Sequence, residues 1–186
     1  VPPDDFARYR AYLLVLARQQ VPAMRDARFD ASDVVQQTLL DAHRAGDGFV
    51  SLASGQRLAW LRTALAHNLA DAYRRLFADK RDVRREQALV ALSAGLEASA
   101  QNLERWLVAS TLSPSEQADH NEQLLRVAAA LAELPEAQRL ALERHYFERR
   151  PVAEIAAEMG KTLVAVAGLL KRGLRTLRER LRIDDG

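Results

Sequence analysis

Cysteine is absent from the sequence, and with it go disulfides, zinc ribbons and thiol catalysis. Lysine is confined to Lys80, Lys161 and Lys171. Positive charge is therefore carried almost wholly by arginine, whose planar fork suits carboxylates and phosphates. Aromatic residues make up only 6% of the chain and β-branched residues are sparse, while Ala and Leu supply most of a 48% hydrophobic fraction. That mixture disfavours an extended sheet and favours helices. No apolar run approaches membrane-spanning length and no secretory leader is visible, so a soluble, cytoplasmic protein without a membrane partner is expected. Glycine-rich phosphate loops are missing as well. His43, His67, His120 and His145 show no metal-ligand spacing with each other or with carboxylates. Asp30 and Asp33 lie three apart on one helix face, but no second carboxylate pair accompanies them. No catalytic site, metal or cofactor is expected, and the chain does not read as an enzyme.

What is present is helical periodicity, over a length of 186 residues that suits one ordinary domain or two small ones. Phe6, Tyr9, Leu13, Leu16 and Ala17 recur at helical spacing between Asp4 and about Val21, and Pro22 should end that helix. A second helix should start near Asp30, capped by Asp30, Ser32 or Asp33, and run through Val34, Val35, Leu39 and Leu40 to about Ala45. Gly46-Asp47-Gly48 breaks it, and a polar loop around Phe49 and Leu52 continues to Gly55. A third helix, from about Gln56 to Ala78, buries Leu58, Leu61, Leu65, Leu69, Ala72 and Leu76 at spacings of three and four. Off that stripe lie Arg57, Trp60, His67, Asn68, Asp71, Arg74 and Arg75. Arg81, Arg84 and Arg85 form a charged extension, after which Ala, Ser and Gln dominate from Ser93 to about Asn121. With the acids Glu97, Glu104, Glu116 and Asp119 and a Ser113-Pro114-Ser115 break, this stretch reads as a linker with a fragment of helix around Leu103 to Leu107. Four short helices should follow, at about 122–133, 136–147, 152–159 and 162–181, with Pro135 and Pro151 each opening one. The expected fold is all-α: two small helical domains, 1–85 and 121–186, joined by a flexible linker, 86–120.

Two constellations carry chemistry. Ile155-Ala156-x-x-Met159-Gly160, followed by Val166, Leu169 and Leu170, has the parts of a helix-turn-helix. Ala156 is small where the helices cross, Gly160 tolerates the positive φ of the turn, and Thr162 can cap the second helix. Lys161 lies at that helix's start, while Lys171, Arg172, Arg175 and Arg178 line its exposed side. An ordinary hairpin with a solvated basic face would share some of these features; their agreement favours DNA binding. The second constellation joins Phe49 in the loop to Trp60, Asn68, Arg74 and Arg75 on the third helix. Aromatics beside cations suit single-stranded DNA, and an amide could read the edge of a flipped base. Taken alone, Trp60 and Phe49 would also serve as core.

These residues resemble a known family. Trp60-Leu61-Arg62…Ala66-His67-Asn68-Leu69-Ala70-Asp71…Arg74-Arg75 is similar to the promoter-melting region of extracytoplasmic-function sigma factors. Asp30-Ala31-Ser32-Asp33-Val34-Val35-Gln36-Gln37-Thr38 resembles their polymerase-binding helix. Leu134-Pro135-x-x-Gln138-Arg139…Glu154-Ile155-Ala156…Gly160 resembles their second DNA-binding domain, and the wording is most like the planctomycete branch. The resemblance implies a transcription initiation factor whose partners are core RNA polymerase and promoter DNA. Asp30, Asp33, Gln36 and Gln37 would meet the clamp of the largest polymerase subunit, and the C-terminal domain would meet the flap. Phe49, Trp60, Asn68, Arg74 and Arg75 would hold the unpaired minus-ten element. Lys161, Thr162, Lys171, Arg172 and Arg175 would contact the minus-thirty-five duplex. It also implies a linker that threads toward the polymerase active centre, and it allows an anti-sigma factor as a further partner. Four positions depart from the family pattern. Gln37 and Ser32 stand where relatives usually carry Glu, which makes the docking surface less acidic. Ala167 and Leu169 stand where many relatives carry Lys and Arg, which weakens duplex reading. A helix-turn-helix regulator that dimerises through its N-terminal module, and a helical adaptor binding only protein, are the alternatives to this reading.

Overall fold

The computed structural model describes residues 3–20, 30–76, 84–110 and 117–183. Pro22, Arg81 and the Ser113–Ser115 break lie outside the described residues. Among the described residues there is no strand; the all-α expectation holds. The helices are α1 (Pro3–Gln20), α2 (Ala31–Ala45), α3 (Asp47–Val50), α4 (Ser54–Leu76), α5 (Arg84–Ser110), α6 (Gln117–Ala132), α7 (Glu136–Leu142), α8 (Val152–Glu158) and α9 (Leu163–Ile183). They divide into two compact units, Val1–Gln101 and Asn102–Gly186.

In the first unit α1, α2 and α4 pack on one another in pairs. Residues 11–17 of α1 are all buried, so this helix is enclosed rather than laid along the surface. The leucine stripe of α4 is inside as expected, with Leu58, Leu61, Leu65 and Leu69 almost fully buried. The start of α2 is fixed by Asp30, whose Oδ1 accepts the Ser32 N–H at 2.8 Å. That satisfies one of the donors a helix N-terminus leaves open. Its other end closes at Gly46, which takes φ 52° while its N–H donates to the His43 carbonyl at 3.1 Å.

Two expectations are corrected here. The stretch after Gly46 is not simply a loop: residues 47–50 form the helical turn α3, with Phe49 turned inward. More consequentially, the supposed flexible linker is largely the helix α5, 27 residues long. Leu92, Leu96, Ser99 and Ala100 are buried in the first unit, at steps of three and four obscured by the surrounding Ala, Ser and Gln. Two polar contacts fasten this part of α5. Gln20 Nε2 donates to Ser99 Oγ at 3.1 Å, and Arg62 Nε donates to Glu97 Oε1 at 2.8 Å. Arg62 also reaches the Tyr12 hydroxyl at 3.2 Å, so one guanidinium ties α4 to both α1 and α5. Glu97, expected on an acidic linker, is engaged inside the unit.

The second unit is built around α9, which packs on α6, α7 and α8. Its buried face is Val166, Leu170, Gly173 and Leu177. Gly173 permits the close crossing with α7: a Cβ there would stand 2.9 Å from Leu142 Cδ1. The helix expected over 136–147 is not uniform. After Leu142 it widens into a π turn, Glu143–Phe147, with the Glu148 N–H donating to the Glu143 carbonyl at 3.1 Å. The Phe147 carbonyl at the end of the turn accepts from Asn102 Nδ2 at 2.9 Å. Pro135 and Pro151 stand at the N-caps of α7 and α8, where a missing N–H is least costly.

The buried leucines of α5 give a direct test. Leu96→Ala should destabilise the first unit by about 2–5 kcal/mol, while Ala98→Ser, on the exposed side of the same helix, changes stability little. Denaturant unfolding of the full chain followed by circular dichroism measures both. A Leu96→Ala effect within about 0.5 kcal/mol, as at a surface position, would return the segment to a linker.

Candidate nucleic-acid interface

Of the residues expected to meet single-stranded DNA, the structure buries one and engages another. Phe49 is 1% exposed and packs edge-on against Tyr9 and Trp60, with ring centroids 6.0 and 5.3 Å apart. It offers no open face for a base; its burial beneath Tyr9 and Trp60 is what folds α3 onto the bundle. Trp60 is half-buried by the same contact. Asn68 Nδ2 donates to Thr38 Oγ1 at 3.1 Å and to Asp41 Oδ2 at 2.9 Å, so its amide group joins α4 to α2. Thr38 in turn donates to the Val34 carbonyl at 2.9 Å, and Gln37 Nε2 donates to the other Asp41 oxygen at 2.9 Å. This network makes Asn68 a structural residue, a role its place off the leucine stripe did not disclose. Arg74 and Arg75 are exposed at the end of α4, with Arg74 paired to Asp71 one turn back.

The outer face of α2 sorts the four residues expected to meet a protein partner. Asp30, Asp33 and Gln36 are exposed, Asp30 while also serving as the cap, whereas Gln37 is half-buried on Asp41. Leu40, one turn beyond Gln36, is 43% exposed. Sequence reading placed it on the apolar stripe; its position relative to Asp33 and Gln36 was the available signal for an outward face.

In the second unit, α8 and α9 are joined by a tight turn. Gly160 has φ 60°, and the Lys161 N–H donates to the Ala156 carbonyl at 2.9 Å. Thr162 Oγ1 accepts the Ala165 N–H at 3.2 Å, the capping bond expected of it. Ile155 and Ala156 on α8 and Val166 on α9 are buried, which locks the two helices together. Lys161, Lys171, Arg172 and Arg175 are all exposed. Arg172 lies back along the helix, close to Gly168: a Cβ there would be 3.2 Å from its Nη1. Arg175 pairs loosely with Glu179 at 3.6 Å, both well exposed.

The acids of α8 are held on the side of the π turn. Glu158 is paired with Arg144 at 2.9 Å and with Arg150, and Arg150 also approaches Glu154 at 3.6 Å. Desolvation raises the Glu148 carboxyl above its ordinary range, with Arg144 and Arg150 opposing.

Residues 124–177 match the family model of Sigma-70, region 4. These residues form a helix-turn-helix similar to region 4 of that family. The matched stretch is less than a third of the chain. No curated protein and no solved structure gives a significant match. Within the matched stretch, Gly160, Thr162, Ala156 and Val166 stand in the structural roles read from the sequence. What that reading missed is Val164, 83% exposed on the first turn of α9 beside Leu163 at 55%. Its place opposite the buried Val166 was the signal that could have revealed it.

No helix among the described residues is long and apolar enough to cross a membrane. No group of three or more His, Cys, Asp or Glu among them could hold a metal ion.

The Asn68 network yields a second test. Asn68→Ala should cost about 1–3 kcal/mol by stranding polar groups between α2 and α4. Asn68→Asp should cost more at neutral pH, because it sets a second carboxylate against Asp41. Thermal unfolding of the two variants orders them; equal, negligible shifts would mean the amide is dispensable to the fold.

Proposed function

We propose that the chain is an alternative sigma factor of the extracytoplasmic-function group, planctomycete-like, which binds core RNA polymerase and directs it to promoters. The observation that carries this is the region 4 match, which falls on a helix-turn-helix with its turn, cap and basic strip in place. The first unit adds support through its motif resemblance and its exposed groups. Asp33 and Gln36, with Leu40 beside them, form the face that meets the polymerase clamp; the exposed Asp30 caps the start of that helix and the half-buried Gln37 braces it through Asp41. Region 4 meets the polymerase flap and the minus-thirty-five duplex. Arg74 and Arg75 hold phosphates of the melted minus-ten strand next to Trp60, and Phe49 and Asn68 brace the helices that present them. An anti-sigma factor competing for the α2 face fits the same arrangement.

Recognition of duplex DNA divides between contacts that position and contacts that specify. Arg172 is the reader, since a guanidinium can grip guanine O6 and N7 together. Lys171, Arg175 and Lys161 hold phosphates, with the capped N-terminus of α9 favouring negative charge at Thr162. The energy for strand opening comes from polymerase docking and base capture, so the chain supplies surfaces rather than a reaction.

Mixing the full chain with core bacterial RNA polymerase tests the proposal: the two should co-elute in gel filtration and support promoter-specific run-off transcription. Asp33→Arg should abolish co-elution while leaving the helical circular dichroism intact, because truncating or reversing a buried interfacial charge costs about 2–5 kcal/mol or more. Undiminished association would sink the docking assignment, and a chain that binds duplex DNA as a dimer without polymerase would favour a simple regulator instead. In the holoenzyme, Arg172→Ala should flatten preference at one upstream position, worth about 1–3 kcal/mol. Arg175→Ala should weaken all sequences alike. A promoter-variant binding series reads both, and wild-type preference retained by Arg172→Ala would remove it as the reader.

A further inference from the structure

We propose that Val164 is a specificity-determining residue of the region 4 module, and that its target is the C5-methyl group of a thymine in the major groove. The inference rests on the reading of α9 as a duplex-reading helix and names what part of the duplex it selects. The inward face of α9 is set by Val166, Leu170, Gly173 and Leu177. Opposite it, Val164, Gly168, Lys171 and Arg175 recur at steps of four, three and four, so they form one outward strip. The strip changes character along its length. Its C-terminal part carries cations, whereas its first turn presents two branched methyls on Val164 with Leu163 beside them.

Such exposure is unusual within this chain. The large hydrophobic side chains exposed among the described residues are Leu40, Val50, Val90, Leu163 and Val164, and Val164 is the most exposed of them. It is also adjacent to another member of that set. In a helix-turn-helix the N-terminal residues of the second helix are those that meet base edges. Among the groups that bases display in the major groove, the thymine methyl is the apolar one. A protein partner for the same patch is disfavoured by its surroundings: Lys161 precedes it, and Lys171, Arg172 and Arg175 follow it on the exposed side. That distribution suits an apolar contact flanked by phosphates.

Gly168 refines the geometry. With no side chain there, the Arg172 guanidinium reaches back beside Gly168, which is about one helical turn from Val164. One turn is about 5.4 Å, against about 3.4 Å per base pair. The methyl contacted by Val164 and any guanine gripped by Arg172 therefore fall within about two base pairs of each other.

The test uses the full chain at low salt with duplexes enriched from a randomised library. Each thymine of the enriched sequence is then replaced in turn by deoxyuridine, which removes the methyl and nothing else. One replacement should lower affinity about fourfold, the factor expected for one buried methyl or methylene group. Val164→Ala should lower affinity for the thymine duplex by a similar factor and become indifferent to that replacement. Because the side chain is exposed and Ala favours helix, this variant keeps the fold. Lys171→Ala should weaken both duplexes equally and leave their ratio unchanged. Wild-type binding that ignores every deoxyuridine, or a Val164→Ala chain that keeps the full thymine preference, would overturn the inference while leaving α9 a DNA-binding helix. Failure of the wild type to enrich or bind any duplex would instead remove the DNA reading itself, and this inference with it. A Val164→Ala chain that loses association with core polymerase and keeps its duplex preference would assign the face to protein, and also overturns the inference.

Discussion

Between α8 and α9 the backbone reverses within a few residues, and one hydrogen bond closes that reversal: Lys161 N–H to the Ala156 carbonyl. The bond requires the residue before Lys161 to adopt φ 60°, which Gly160 does without a steric cost that a Cβ would bring. Once the turn is made, Val166 meets Ile155 and Ala156 in the core, and the direction of α9 is set. The outward strip, the cap at Thr162 and the placement of Arg172 all follow from that direction. A residue forced out of the left-handed region at Gly160 would redirect every one of them without touching a side chain of the outward strip.

Much of this was legible in the amino-acid order, for identifiable reasons. The α4 stripe repeats Leu at three and four, Asp30 stands just ahead of an apolar run, and Gly160 follows Ala156 at turn spacing; each is a local signal with a local cause. Phe49 and Asn68 were read differently because their neighbours mislead. An aromatic after Gly-Asp-Gly looks like a loop residue, and only the three-dimensional approach of Tyr9 and Trp60 makes it core. Asn68 lies off the leucine stripe, so the sequence offers no hint that Thr38 and Asp41 lie opposite. In α5 the apolar face is thin: Leu92 and Leu96 are separated by Ser, Ala and Gly, and their burial needs a partner surface that no local window contains. The π turn was invisible because a helix of this type differs from an α-helix by hydrogen-bond choice rather than by residue type.

The two units use polar burial in different ways. In the first, Gln37, Thr38, Asp41 and Asn68 form a compact set of donors and acceptors between two helices, so α2 is held at one rotation relative to α4. Nonpolar contacts alone tolerate small slides and rotations of one helix on another; a directional network does so far less. The exposed Asp33–Gln36–Leu40 face therefore sits on a helix whose angular setting is specified from behind. In the second unit the ionic contacts are mostly peripheral. Arg180 pairs with Glu133, and Arg144 and Arg150 gather the acids of α8. These pairs add little stability where exposed.

The widened turn at Glu143–Phe147 works as a phase shifter. An α-helix advances about 100° per residue, so side chains five apart normally point in different directions. Drawing the Glu148 N–H back to the Glu143 carbonyl absorbs one extra residue, and Leu142 and Phe147 can both be buried. The segment thus behaves as an α-helix into which a single residue has been inserted without displacing the hydrophobic pattern downstream. A one-residue deletion within 143–147 would restore regular α-helical winding and leave the residues that follow in the same phase. The stretch can therefore be one residue longer or shorter and still bury the same face.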